Sequence, residues 1–160
     1  MQDMLVSLIT LPEISTLENK LLSRNSIVIR RPIAPEKKLL VQWVENTFGN
    51  YWASETDVAF SKHPIRCFVA QTKSKPIGFS CYDTTSRGFF GPTGVDSAYR
   101  GIGVGKILLV KALKAMREMN YGYAIIGGVG PAAYYEKTIG ATLIEGSEKN
   151  IYNHLLKNNE

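Results

Sequence analysis

Apolar residues recur along this chain in two rhythms, and their alternation predicts a mixed α/β domain. Leu39, Leu40, Trp43, Val44 and Phe48 fall on one face at helical spacing, behind Pro35-Glu36 and ahead of Gly49-Asn50, which are opening and closing signals for a helix. Leu108, Leu109, Ala112, Leu113 and Met116 repeat the pattern, with Lys111, Lys114 and Glu118 on the opposite face, predicting a second amphipathic helix over 105–120. Between and around them lie short β-branched or aromatic runs. Residues 27–31 stop at Pro32; 67–72 and 77–82 flank a polar turn; 89–96 and 123–126 follow. A short helix over 131–138 and closing strands at 142–144 and 151–155 complete the expectation, while 52–63 reads as a helix beginning near Ser54. At the front, a strand over 4–9 and a helix over 12–22 form an amino-terminal extension, residues 1–26, ahead of a domain spanning 27–160.

The chain has 160 residues, 44% of them apolar, which suits one core and excludes a disordered composition. The net charge of +5 narrows the partners once its distribution is followed. No basic run exceeds two residues, and no nucleic-acid-binding motif accompanies the isolated pairs Arg30-Arg31 and Lys37-Lys38, so neither nucleic acid nor a membrane is the expected partner. No apolar run is long enough to span a bilayer and no export signal opens the sequence, giving a cytoplasmic expectation. Cys67 and Cys81 lie far apart within strand-like runs and read as buried free thiols, with no metal site.

The chemistry concentrates in Tyr99-Arg100-Gly101-Ile102-Gly103-Val104-Gly105-Lys106, a glycine-rich turn leading from a predicted strand into the long helix. Unpaired N–H groups and the helix dipole favour an anion there, and glycines let it approach the backbone. Arg100 and Lys106 supply cations where a helix start would otherwise disfavour them. A Walker loop does not fit, because Ile107 follows Lys106 in place of a magnesium-binding hydroxyl and Arg100 replaces the first glycine. A dinucleotide fingerprint fails at the same turn, where Lys106 takes the third glycine position. The looser match at Gly128-Val129-Gly130-Pro131-Ala132-Ala133 comes too late for a two-part nucleotide sheet.

Arg100-Gly101-Ile102-Gly103-Val104-Gly105 resembles the acetyl-CoA signature of the GNAT N-acetyltransferase superfamily: Arg or Gln, two residues, Gly, one residue, Gly or Ala. Gly91-Pro92-Thr93-Gly94-Val95 resembles that family's splayed strand, and Ala133-Tyr134-Tyr135-Glu136-Lys137 its later aromatic-Tyr-Glu-Lys segment. The resemblance implies a mostly antiparallel sheet, splayed near the cofactor and flanked by helices. It further implies acetyl-CoA as acyl donor, its pyrophosphate on the backbone from Gly101 through Ile102, Gly103, Val104 and Gly105 to Lys106, with Arg100 at the edge. Its pantetheine arm would lie along Thr93, Gly94 and Val95, where a backbone N–H polarises the thioester carbonyl. Tyr135 matches the tyrosine that protonates the departing thiolate, and Tyr134 is assigned to the core. Two features depart from the pattern: four residues instead of three separate Tyr135 from Gly140, and the region 127–130 replaces a customary asparagine.

An amine acceptor, whether small molecule or protein, must lose a proton before attacking the thioester. Glu55, Asp57, His63 and Asp83 are the candidate bases. Glu55 is preferred because it and Trp52 fall in the segment bordering the acceptor groove of similar proteins, pairing a negative group with an apolar wall. Neither cysteine sits in a nucleophile context, so the expectation is direct transfer in a ternary complex. A CoA-responsive binding module without turnover is the alternative. Homodimers are common among similar proteins.

Overall fold

The computed structural model describes residues 1–157. Among these residues seven strands form one sheet: β1 (Met4–Ser7), β2 (Val28–Arg30), β3 (Cys67–Thr72), β4 (Lys75–Tyr82), β5 (Phe89–Val95), β6 (Tyr123–Ile126) and β7 (Thr142–Leu143). Five helices accompany them: α1 (Ser15–Asn25), α2 (Lys37–Phe48), α3 (Asn50–Phe60), α4 (Val104–Glu118) and α5 (Ala132–Ile139). The sheet order is β2-β3-β4-β5-β6-β1-β7. Every pairing is antiparallel except β5 with β6, which is parallel.

Strand alternation divides the core in two. Along β3, Phe68 and Ala70 point to one side, into a cluster with Leu108, Leu113 and Met116 of α4 and Leu21 of α1. Cys67 and Val69 point to the other, meeting Leu40 and Val44 of α2 and Ala53 and Phe60 of α3. Thus α1, α4 and α5 cover one face, and α2 and α3 the opposite face. Leu108, Leu109, Leu113 and Met116 are essentially inaccessible; at about 1.5–3 kcal/mol per large apolar side chain, this stripe is the main reason α4 stays docked.

The elements predicted from periodicity are present with shifted ends, and two findings alter the picture. The first concerns the amino-terminal strand, whose place in the sheet the sequence did not indicate: β1 is inserted between β6 and β7, pairing Met4 with both Ile126 and Leu143. Met4 and Val6 are buried while Leu5 and Ser7 are not, so the alternation of a half-buried strand is met inside the sheet. The second is a correction: residues 151–155, expected as a closing strand, form none, with 151–154 in turns. Asn150 holds them there, its side-chain amide donating to the carbonyls of Met1 (2.9 Å) and Ser147 (3.1 Å) and its Oδ1 accepting from Tyr152 N–H (3.1 Å). The edge of β6 that a closing strand would have used is taken by β1.

Candidate active site

The parallel ladder between β5 and β6 holds only two register pairs, Phe89 with Ile125 and Phe90 with Ile126. Beyond Phe90 the strands part, and β5 continues along β4 alone. Asp96 N–H donates to Ile77 C=O at 2.8 Å, which fixes the alternation of the antiparallel ladder. Phe79 and Gly94 then form a hydrogen-bonded pair, whereas Thr93 and Val95, opposite Ser80 and Gly78, turn their backbone groups into the gap. Arg100 Nε donates to Val95 C=O at 2.9 Å, closing the outer end of this open edge. The expected irregularity of the strand is therefore real, but Gly94 has another reason for being glycine. A Cβ there would meet the Phe48 ring at 2.6 Å, so the missing side chain lets the end of α2 lie against the sheet.

The glycine-rich turn delivers the chain to the head of the same gap. Asp96 caps a short 3-10 turn at Ser97–Tyr99 through Ala98 N–H. Gly103 then starts α4 with φ +102, a conformation that side-chain-bearing residues rarely adopt, and Leu17 of α1 occupies the place its Cβ would take. No side chain caps this helix and its first turn contains no acidic residue, so the leading N–H groups remain available to an anion. Gly105 faces the groove: a Cβ on it would lie 3.6 Å from Val95 Cγ2 and 3.7 Å from the Tyr134 hydroxyl. Lys106 is half-buried beside it, while Arg100 and Ile102 are exposed.

The tandem tyrosines are oriented opposite to the expectation for Tyr134, which is 40% exposed whereas Tyr135 is 8% exposed. Helical phase is the reason. Tyr135 and Ile139, one turn apart, form the inward stripe of α5, so Tyr134 lies roughly 100° around the helix, toward Gly105. Tyr135 packs edge-on against Phe90, the last β5 residue paired to β6, with ring centroids 6.5 Å apart. It therefore sits under the point where the strands diverge. Burial, reinforced by Tyr134, pushes its phenol up to about 12, so the group is protonated at neutral pH and is a weaker acid than an exposed tyrosine.

On the opposite face, the candidate bases separate by their surroundings. Asp57 pairs with Lys37 at the surface. Asp83 is committed to Arg66, the Gly88 N–H and the Tyr121 hydroxyl, and His63 is exposed. Glu55 is only partly exposed, and burial raises its carboxyl above the usual range, with a hydrogen bond from Thr85 opposing. Trp52, 36% exposed, stacks at a tilt on Phe48 with centroids 5.3 Å apart, forming an apolar wall one helical turn from Glu55. No motif marks Thr85, which the Asp83-anchored turn between β4 and β5 brings to Glu55, or Tyr152, whose hydroxyl lies at Gly127. Thr85 comes from a loop without periodic pattern, and Tyr152 from the segment expected as a closing strand. Among the described residues no helix is long and apolar enough to cross a membrane, and no group of three or more His, Cys, Asp or Glu residues could hold a metal ion.

Comparison with known proteins agrees with this geometry. The fold is similar to the GCN5-related glucosamine N-acetyltransferase region of a fungal multi-domain GH3 beta-N-acetylglucosaminidase, with TM-score 0.70 and 14% identity over 89% of this chain. It is also similar to a GCN5-related N-acetyltransferase from Sphaerobacter thermophilus, with TM-score 0.68 and 16% identity over 89% of this chain. This chain spans 19% and 48% of those proteins, respectively. No curated protein matches by sequence. The family model described as the acetyltransferase (GNAT) family matches residues 37–141, from the start of α2 through the glycine-rich turn and α5. The chain belongs to the GNAT acetyltransferase family.

Proposed function

We propose that this protein is an N-acetyltransferase that moves an acetyl group from acetyl-CoA directly to an amine in a ternary complex. The observation that carries this reading is the gap between β5 and β6, which has the uncapped start of α4 on one face and Glu55 on the other. Donor and acceptor can thus enter from opposite faces and meet at the parting of the strands. The residues fit the cofactor: Thr93 and Val95 offer backbone groups that β6 does not use, and Gly105 leaves the groove clear.

Acetyl-CoA bound there supplies the acetyl thioester. The backbone from Gly101 to Lys106 holds its pyrophosphate, with Arg100 and Lys106 adding positive charge. Thr93 and Val95 pair with the amides of its arm as a strand would, and an N–H from this edge polarises the thioester carbonyl. Gly94 contributes by letting Phe48 set the wall behind that edge. Glu55 takes the proton from the amine nitrogen, which bonds to the carbonyl carbon as the carbon–sulfur bond breaks. Tyr135 gives its proton to the leaving sulfur, and Trp52 lines the acceptor side.

A CoA-responsive module without turnover is the second reading. Its supporting observation is the burial of Tyr135, which places that phenol in the core. Thermal unfolding with and without acetyl-CoA, followed by turnover on an amine panel, tests both readings. A rise in melting temperature together with CoA release supports the transferase. A rise without release on any amine supports the module, and no rise at millimolar acetyl-CoA removes both.

A further inference from the structure

Helix α1 is strung across one face of the sheet between two strands that lie far apart in it. It follows β1, which runs between β6 and β7, and delivers the chain to β2 at the opposite edge, with β3, β4, β5 and β6 in between. Both of its ends are closed. Glu13 accepts from the N–H groups of Ile14 (2.8 Å) and Ser15 (2.9 Å). At the other end Ser26, in the left-handed region at φ 53, donates its N–H to Leu22 C=O (3.1 Å), and Ile27 N–H returns to Leu21 C=O (3.2 Å). A helix pinned in this way has little freedom to slide over what lies beneath it.

Beneath it is the start of α4. Ile14, Leu17 and Leu21, three and four residues apart, form the inner stripe of α1. Ile14 and Leu21 are buried in the core shared with α4, whereas Leu17 is only partly buried and ends on Gly103. A Cβ on Gly103 would lie 2.8 Å from Leu17 Cδ2, 2.9 Å from Cδ1 and 3.2 Å from Cγ. Both methyls therefore lie against the residue whose φ of +102 turns the chain into α4. Beside Leu17, Glu18 pairs with Lys111 of α4 at 2.8 Å, which fixes the position of α1 along that helix. Gly101, the other left-handed glycine of the turn at φ +82, has nothing among the described residues within 4 Å of the place its Cβ would take.

We propose that Leu17 is a positioning residue for the cofactor, holding Gly103, and with it the N–H groups of residues 101–106, in the arrangement that receives the pyrophosphate. A helix start is ordinarily fixed by a side chain that bonds to its leading N–H groups. Such a cap would compete with an anion for the same donors, and α4 has none. Packing from α1 fixes the turn without occupying those donors. Without it, two left-handed glycines in close succession leave the empty turn many conformations, and binding must then order them. This inference rests on the cofactor site proposed above and holds whether or not turnover follows.

The test is a calorimetric titration of acetyl-CoA into the wild type, Leu17→Ala, Leu17→Met and Leu21→Ala at a temperature where each is folded, with urea unfolding of the apo proteins alongside. Leu17→Ala is expected to weaken acetyl-CoA about tenfold, the loss that follows when about one residue's backbone must be ordered on binding. Leu17→Met refills the volume and should restore affinity to within about threefold of wild type. Leu21→Ala truncates the more deeply buried residue one turn on, so it should lose more stability than Leu17→Ala and yet bind acetyl-CoA within about threefold of wild type. The pair Leu17→Val and Leu21→Val decides in the same way should either alanine variant fail to fold. An affinity that falls in step with stability, leaving Leu21→Ala the weaker binder, makes Leu17 an ordinary packing residue and overturns the proposal, as does undiminished affinity in Leu17→Ala. No binding by the wild type at millimolar acetyl-CoA overturns the cofactor site on which the proposal stands.

Discussion

Replacing Gly105 with Asp sets apo stability and cofactor affinity moving in opposite directions. Gly105 is the second residue of α4 and has ordinary helical backbone, and a Cβ there meets only van der Waals contacts at 3.6 and 3.7 Å. Aspartate has a better helix propensity than glycine by about 0.3 kcal/mol, and a carboxylate in the first turn gains about 0.3–1 kcal/mol from the helix dipole. The apo protein should therefore be more stable by about 1 kcal/mol, a rise in Tm of about 2–4 °C for a domain of this size. The same carboxylate confronts the pyrophosphate. At about 5 Å, each pair of like charges costs about 0.8 kcal/mol in water and about 3 kcal/mol at an effective dielectric of about 20. Two phosphate charges together then weaken acetyl-CoA by at least about 15-fold. Thermal unfolding of the apo protein and calorimetric titration with acetyl-CoA read the two effects separately, and Gly105→Asn controls for shape. Undiminished affinity in Gly105→Asp would refute the placement of the phosphate; a lowered apo Tm would refute the account of the helix start.

Four further outcomes follow from the same geometry. The raised pKa of Glu55 means that the folded state holds this proton more tightly than the unfolded chain, so the group's stabilising contribution is present below the unfolded pKa and is lost as pH rises through the folded one. Glu55→Gln should consequently match or exceed the wild-type Tm at pH 8, with the difference gone below about pH 4, while turnover falls about 10²–10⁴-fold; a lower Tm at pH 8 contradicts the burial argument. Gly94→Ala drives a methyl into the Phe48 ring and should cost about 1–3 kcal/mol in urea unfolding, part of it recovered by Phe48→Leu; additive losses in the double variant would show that the two do not meet. Asp83→Ala strands the Arg66 guanidinium, the Gly88 N–H and the Tyr121 hydroxyl, at a cost of about 3 kcal/mol measured the same way. Tyr135→Phe should retain acetyl-CoA binding and lose about 10²–10⁴-fold in turnover, with Tyr134→Phe much less affected; the reverse order would assign the proton donor to the hydroxyl near Gly105.

What could be read from the sequence depended on how local each cause is. The amphipathic stripe of α4 and the stop at Gly49 are written within a few residues, and both elements lie close to where periodicity puts them. The glycine-rich start of α4, proposed to receive the anion, is equally local, because glycines and a helix start are consecutive. By contrast, no neighbour of Met4 indicates that its strand runs between β6 and β7; that placement depends on an edge contributed by residues 123–126. The helix carrying Glu55 begins at Asn50, ahead of the expected Ser54, and so follows α2 with only Gly49 between them. The orientation of Tyr134 and Tyr135 depends on a phase of α5 that one extra residue before Gly140 is enough to alter. Thr85 is brought to Glu55 by a loop and Tyr152 to Gly127 by a terminal segment, where side-chain hydrogen bonds rather than hydrophobic rhythm set the path.

The most direct test of the cofactor site is a titration of the isotopically labelled protein with acetyl-CoA followed by backbone amide resonances. The account predicts that the amides of residues 101–106, Thr93 and Val95 shift together and saturate, while those of β2 and β3 on the far side of the sheet remain in place. No shift at millimolar acetyl-CoA, or shifts confined to other surfaces, would contradict it.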